Sequence, residues 1–397
     1  MQDRGRMGQF LARRRQSPIP FCAGTCVLLM LIGLPANGAE PAYMVVDLGK
    51  YSEATAINDS GDVVGNIRVD GSDIHAFLYS KGRVHDLGTL GGMRSNAKGI
   101  NAAGLVVGWA ETEGVTQGAR TSGRAFIYAD GKMRAIELDK QTAGVPGRAD
   151  ARDINSLGQI VIDVPGMRAA IWSSGVTQYL GTLVPKGAGY PLGKQMNPDG
   201  SSKELISFGE GYTDACRIND SGAVVGFAAS PDGHEHAFLF SNGMLRDLNI
   251  PGWKNSHAKD INSRGQVVGS FNLEEGQLRA FLYIDGEMMD LGVPTGYKNS
   301  SANGINASGQ VVGSAHNVTG GGFLWIGMES RAFLYENSQW IDLSTRVNLS
   351  GSGLTELFDA ERINARGQII GKAMGPDTFH AYLLTPLRIE STSSETK

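Results

Sequence analysis

The sequence predicts an all-β fold: a seven-bladed β-propeller of four-stranded antiparallel blades, closed by an N-terminal strand that completes the last blade. Three observations predict it. A three-part signal recurs down the chain, and a recurring unit of this length marks a repeat architecture. Each copy holds four short apolar runs separated by turn residues, which suits antiparallel strands. The 55 glycines are well above the usual share and only 19% of residues are charged, which fits a turn-rich β protein.

The first part of the signal is Ile57-Asn58-Asp59-Ser60-Gly61-Asp62-Val63-Val64-Gly65. Its asparagine returns at Asn101, Asn155, Asn219, Asn262, Asn306 and Asn364, each with Ile before it. Four residues ahead of each stands alanine: Ala54, Ala97, Ala151, Ala215, Ala258, Ala302 and Ala360. Strand one runs from this alanine to the asparagine, and Asn-x-x-Gly closes a tight turn in which glycine supplies positive φ. Val-Val-Gly is strand two. Strand three is His75-Ala76-Phe77-Leu78-Tyr79 and its copies at Arg124, Arg168, His236, Arg279, Arg331 and His380. A turn such as Lys81-Gly82 leads to strand four, which ends in Asp86-Leu87-Gly88 or a variant. The alanine fits the innermost strand, where blades converge and larger side chains would collide. The third unit is the worn copy, with Ile162 in place of glycine and Tyr179-Leu180-Gly181 in place of Asp-Leu-Gly.

Six units own a fourth strand, and the seventh does not. The missing strand stands at the front of the chain, at Tyr43–Gly49, ending Asp47-Leu48-Gly49. Lending it to the last blade closes the ring and hides two sheet edges.

These motifs resemble the extracellular HAF-repeat family, named for its His-Ala-Phe triplet; here the triplet stands at His75 and His236, with His-Ala-Tyr at His380. The resemblance covers residues 43–386. It implies an exported bacterial protein of no established biochemical activity, so it supplies an address and a repeat type but no catalytic residues.

Three segments are expected: residues 1–39 a signal peptide, 40–386 the repeat body, and 387–397 a disordered tail. Arg4, Arg6 and Arg13–Arg15 form a basic head, an apolar run spans Ile19–Leu34, and Ala36-Asn37-Gly38-Ala39 is a small-residue cleavage site. The protein is therefore expected to be secreted or periplasmic, with no membrane insertion after cleavage. Removing residues 1–39 takes away five arginines and one aspartate, which moves the formal charge from −4 to −8. That balance speaks against nucleic acid as a partner. Cys216 is then the last of the three cysteines, so packing without disulfides must hold the fold, and its thiol is expected to be buried and inert.

Connection lengths point to one working face. From the Asn to the Gly of the first turn is always three residues, and from His/Arg to the Leu position of strand four is always twelve. From Asn to His/Arg varies between 13 and 25, and from Leu to the next Asn between 10 and 39. The variable connections emerge together, and loops on a rigid scaffold are where binding is usually placed. The long insertions are 110–123, 137–149, 182–213, 314–330 and 345–358. Candidate ligand-binding residues are Tyr190, Tyr212 and Trp325 in these insertions and Glu53, Asp150, Asp214, His257 and Asp359, each just ahead of a repeat alanine. Carboxylates ringing a channel mouth can hold a cation or act as an acid/base pair, although ordinary strand capping would use the same residues. The His/Arg of strand three is expected to pair with the Asp of strand four. His234-Glu235-His236 contains a repeat residue and is a weak metal motif. No nucleophile-elbow, zinc-helix or phosphate-loop motif occurs, so no catalytic residue, cofactor or metal is assigned. The function expected is a monomeric, non-enzymatic scaffold binding protein or glycan through the long-loop face. The alternative is a polysaccharide-acting enzyme with carboxylates at the channel mouth.

Overall fold

A computed structural model describes residues 42–113, 123–138, 149–164, 168–184, 190–196, 202–207, 211–273, 276–317 and 330–387. The described residues are almost wholly β: five four-stranded sheets, one eight-stranded sheet and a two-stranded hairpin, whose strands pair antiparallel save for one parallel contact between two of them. The eight-stranded sheet is two repeats joined by that contact, Ile74 to Arg94. Strand one of the first repeat is Ser52–Ile57, strand two Val63–Asp70, strand three Asp73–Ser80 and strand four Arg83–Asp86. The other repeats follow the same order. The fourth strand of the last sheet is Tyr43–Lys50, which pairs antiparallel with Phe379–Pro386, so that Val46 faces Leu383 and Asp47 faces Tyr382.

The strand three–four turns twist with the strands by holding two successive residues at positive φ. Lys81 and Gly82 sit at +50° and +80°, and Asn337-Ser338 at +51° and +61° does so without glycine.

Between strands one and two lies a bulge. Ala54 pairs with Gly65 and Ala56 with Val64, which leaves Thr55 as the extra residue. All seven repeats share this shift just after the repeat alanine. It explains the glycine of Val-Val-Gly: a Cβ on Gly65 would lie 1.8 Å from the Glu53 carbonyl oxygen. The third repeat accepts Ile162 opposite Ala151.

Each repeat asparagine does two jobs. Asn58 Oδ1 accepts the Ser60 and Asp62 amides within its own turn. Its Nδ2 donates to the Asn101 carbonyl of the next repeat at 3.2 Å. The same bond runs from Asn101 to Asn155, then to Asn219, Asn262, Asn306 and Asn364. Asn364 donates to the Asn58 carbonyl at 2.9 Å, so the series returns to its first member.

A second staple joins neighbours further out. Ser95, two residues before Ala97, accepts the Ala76 amide of the preceding repeat and donates to Gly88 O. Ser52, Ser256 and Ser300 accept Ala381, Ala237 and Ala280 in the same way. The apolar core lies between sheets. Val64, Ala76 and Leu87 of the first repeat, for instance, pack with Ala97, Val106 and Phe126 of the second. Among the described residues no helix is long and apolar enough to cross a membrane.

Candidate functional site

At the end that carries the variable connections lies a cavity of about 760 Å³. Its position follows from the strands. The lining includes Ser314 and His316 at the end of a strand two, and Leu278, Ser330 and Phe379 at the start of strands three. The bulges supply its wall. The extra residue after the repeat alanine is Thr55, Lys98, Arg152, Cys216, Lys259, Asn303 or Glu361, and all seven line the cavity. A bulge aims its extra side chain away from the ladder, so one irregularity repeated seven times furnishes a ring of inward residues.

Of the residues expected from sequence, Glu53 and Asp359 line the cavity, with Ser301 of the same position. Asp150, Asp214 and His257 stand beside it, engaged with other side chains. The Lys98 ammonium bonds Asp150 at 2.6 Å. The Arg152 guanidinium bridges Asp163 and, at 3.0 Å, Asp214. Burial works against the charge of Arg152, but Asp163, Asp150 and Asp214 outweigh it and raise its pKa. Lys372 holds Glu53 at 2.7 Å. Burial of Glu53 is likewise outweighed by Lys372, which holds its carboxyl below the usual range. The carboxylate ring read from the sequence is therefore a set of ion pairs, and among the described residues no cluster could hold a metal.

Asp359 differs. Asn303 Nδ2 donates to it at 2.9 Å, and burial followed by the charge of Glu361 pushes its carboxyl up to about 7. Nearby, the Lys259 ammonium donates to Ser301 Oγ at 2.6 Å and to Asn303 Oδ1 at 3.0 Å, both neutral acceptors. Burial lowers its pKa. Deeper, towards the asparagines, the next strand position brings Asp153, Arg217, Asp260 and Arg362. Arg217 reaches the Thr55 carbonyl of the first repeat at 3.1 Å. Asp153 and Asp260 each accept an amide from the following repeat, Ile218 and Ile305.

Tyr212 stands two residues before Asp214 and is engaged with a neighbouring side chain. Its hydroxyl bonds Glu235, whose other oxygen takes His257 Nε2 at 2.7 Å, and the His257 ring packs on Phe227. Tyr190 opens the hairpin of Tyr190–Met196 and Ser202–Ser207, and its side chain lies outside the described residues, as does Trp325. An exposed aromatic pair missed in the sequence does occur at the rim. Tyr51 and Phe379 meet edge-on at 6.2 Å, and Phe379 lines the cavity.

The strand three–four pairing holds at His75 with Asp86, His236 with Asp247, Arg279 with Asp290 and His380 with Asp47. Arg124 takes Glu137 and Arg331 takes Glu356 instead. In the second repeat Ala135 occupies the aspartate position. In the sixth, Asp342 is spent capping a short 3-10 helix. His234-Glu235-His236 is no metal pair, since His236 binds Asp247 and Asp232 while Glu235 binds His257. Cys216 is part-exposed in the cavity wall rather than sealed in the core, and burial raises its thiol to about 11.

Comparison with solved structures finds similarity to YCF48 bound to a D1 peptide, at 12% identity and TM-score 0.46 over 91% of this chain and all of that one. The β-propeller domain of the trilobed protease from Pyrococcus furiosus matches at 7% identity and TM-score 0.47, over 88% of this chain and 99% of the other. A Trypanosoma rangeli sialidase in complex with sialic acid matches at 9% identity and TM-score 0.34, over 89% of this chain and 56% of the enzyme. Comparison with curated proteins returned no match. Residues 46–230 and 245–375 match the family described as "Protein of unknown function (DUF3466)". With that match spanning most of its length, the chain belongs to the DUF3466 family.

Proposed function

We propose that the seven HAF-type repeats form a seven-bladed β-propeller closed by the N-terminal strand, and that the protein is an exported, non-enzymatic scaffold binding a protein or glycan at its variable-loop end. The observation that carries the reading is the cavity of about 760 Å³ at that end, a size suited to a ligand. Its wall is crowded with ammonium, guanidinium, carboxylate, amide and hydroxyl groups. Glu53, Asp150 and Asp214 already hold cations. A ligand meeting such a wall exchanges hydrogen bonds with preoriented groups rather than with a free nucleophile. The asparagine series that returns to Asn58 supports closure.

Immobilised protein screened against a glycan array and a library of extracellular proteins tests the binding reading. We expect a ligand whose binding falls about tenfold on Glu53→Gln combined with Lys372→Met, since the ion-paired acceptor and donor that line the cavity are lost together. No ligand on either screen overturns it.

A second reading rests on Asp359, whose carboxyl stands near 7, in the range where a general acid works, beside the second carboxyl of Glu361. On that reading the protein acts on polysaccharide. Release of reducing ends from polysaccharide, lost in Asp359→Asn, would favour the enzyme over the scaffold.

A further inference from the structure

Phe379 and Tyr51 are 39% and 40% exposed, which is unusual for rings of this size in a molecule that buries Phe77, Phe126, Phe238 and Phe281 completely. They come from opposite ends of the chain and meet edge-on, with an interplanar angle of 83°. Their positions are fixed by the backbone. Tyr51 N donates to Phe379 O at 3.0 Å, and Tyr51 O accepts from Arg68 N at 3.2 Å. The Arg68 guanidinium lies 4.3 Å over the Tyr51 ring. Tyr51 sits at φ +52°, in the left-handed turn that joins the N-terminal strand to the first repeat.

The cavity that Phe379 lines is also walled by Phe358, Glu53, Lys372 and the Lys259–Asn303–Asp359 group. The cations there are not alike. Lys98, Arg152 and Lys372 each have a carboxylate at 3.0 Å or less. Lys259 donates only to a hydroxyl and an amide. Among the described residues Lys259 thus has no direct ion pair, although Glu361 and Asp359 act on it through space, and Arg217, which also lines the cavity, donates to backbone carbonyls.

We propose that this site, which rests on the scaffold reading above, binds an acidic saccharide: sugar rings stack on Phe379 at the rim, and a ligand carboxylate meets Lys259 in the wall. Stacking suits a saccharide because the C–H face of a pyranose is apolar while its edge carries hydroxyls, and an aromatic rim beside a hydrogen-bonding wall offers both halves. The paired Glu53 and Lys372 line the cavity and present an acceptor and a donor to ring hydroxyls. The carboxylate answers the ammonium that has only neutral acceptors, an interaction stronger than a neutral hydrogen bond. Because Tyr51 follows the N-terminal strand and Phe379 opens the last one, an occupied site also clamps the seam between the chain ends.

Calorimetric titration of the purified full chain with short oligogalacturonates and with neutral gluco-oligosaccharides of matched length tests this. We expect the acidic ligand to bind about tenfold more tightly. Phe379→Ala should weaken both, and Lys259→Met should erase the difference while Lys259→Arg keeps it. Thermal melting of each variant shows that it is folded, and oligogalacturonate should raise the melting temperature of the parent protein but not of Phe379→Ala. Equal binding of neutral and acidic ligands, or acidic binding untouched by Phe379→Ala and Lys259→Met, overturns the proposal and leaves the scaffold standing. So does a protein ligand found on the screen when neither saccharide binds. Absence of any ligand on both screens removes the scaffold reading as well.

Discussion

Asp359 and Asp163 carry carboxyls that burial pushes up to about 7, from an ordinary 3.8. A folded-state pKa above the unfolded one means the folded protein holds its proton longer. The stability this gives is complete below about pH 4 and is lost as pH rises towards 7. Glu53 and Asp86 work in the opposite sense and over a lower window, because partners hold their carboxyls below 4.5 and 3.8. Their contribution is present above those values and lost in acid. His75, raised above 6.5 by its bond to Asp86, adds a further loss of stability as pH rises past 6.5. The melting temperature should therefore pass through a maximum in mildly acidic solution. Asp359→Asn should flatten the decline between pH 5 and 7 and leave the acid limb and the histidine limb in place. A decline of unchanged slope in the variant would show that Asp359 does not titrate there. The bulge glycines set a second expectation. In Gly269→Ala the new Cβ would stand 1.9 Å from the His257 carbonyl oxygen and 2.8 Å from the Phe281 ring, so two elements must move. Overpacking of this kind costs about 1–3 kcal/mol or more, to be read from denaturant unfolding.

At the scale of the strand and its staples, much was legible and some was hidden for a physical reason. The strands, their turns and the lending of Tyr43–Lys50 to the last sheet follow from apolar alternation and turn residues, which are local properties of sequence. The ion pairs of His75 and His236 were legible because their partners recur at a constant spacing. The cavity ring was not. Thr55, Lys98, Arg152, Cys216, Lys259, Asn303 and Glu361 share no chemistry, and only a bulge, which the hydrophobic pattern does not reveal, turns that position inward. The position before the alanine shows carboxylates in the sequence; the cations that neutralise them come from the preceding repeat, Lys98 for Asp150 and Arg152 for Asp214, or from the last one, Lys372 for Glu53. The serine staple did leave a trace, since Ser52, Ser95, Thr213, Ser256 and Ser300 all precede the repeat alanine by two. Ser256→Ala leaves the buried Ala237 amide without its acceptor. We expect a loss of about 1–3 kcal/mol and faster exchange of that amide. Unchanged protection would mean another acceptor takes over.

For the whole molecule, what matters is that stability and site share one seam. The core is divided among clusters between neighbouring sheets, and one of them joins Leu48, Ala54, Val63 and Phe77 from the start of the chain to Ile370, Ala381 and Leu383 from its end. His380 bonds Asp47, and Ser52 accepts the Ala381 amide, so polar and apolar links converge on the same junction. A protein beginning at Tyr51 lacks the partner of Phe379–Pro386, which would then expose a bare strand edge with Leu383 and Leu384 unpacked. We expect it to melt at a markedly lower temperature or to associate, and a synthetic peptide of residues 42–50 added in excess to restore part of the loss by mass action. The same truncation should weaken saccharide binding more than the distant Ser256→Ala at comparable stability, because Tyr51 and Phe379 are held in register by the strand it removes. A truncated chain that melts like the full one refutes the closure. One that is destabilised yet binds with full affinity leaves the closure intact and separates the seam from the site.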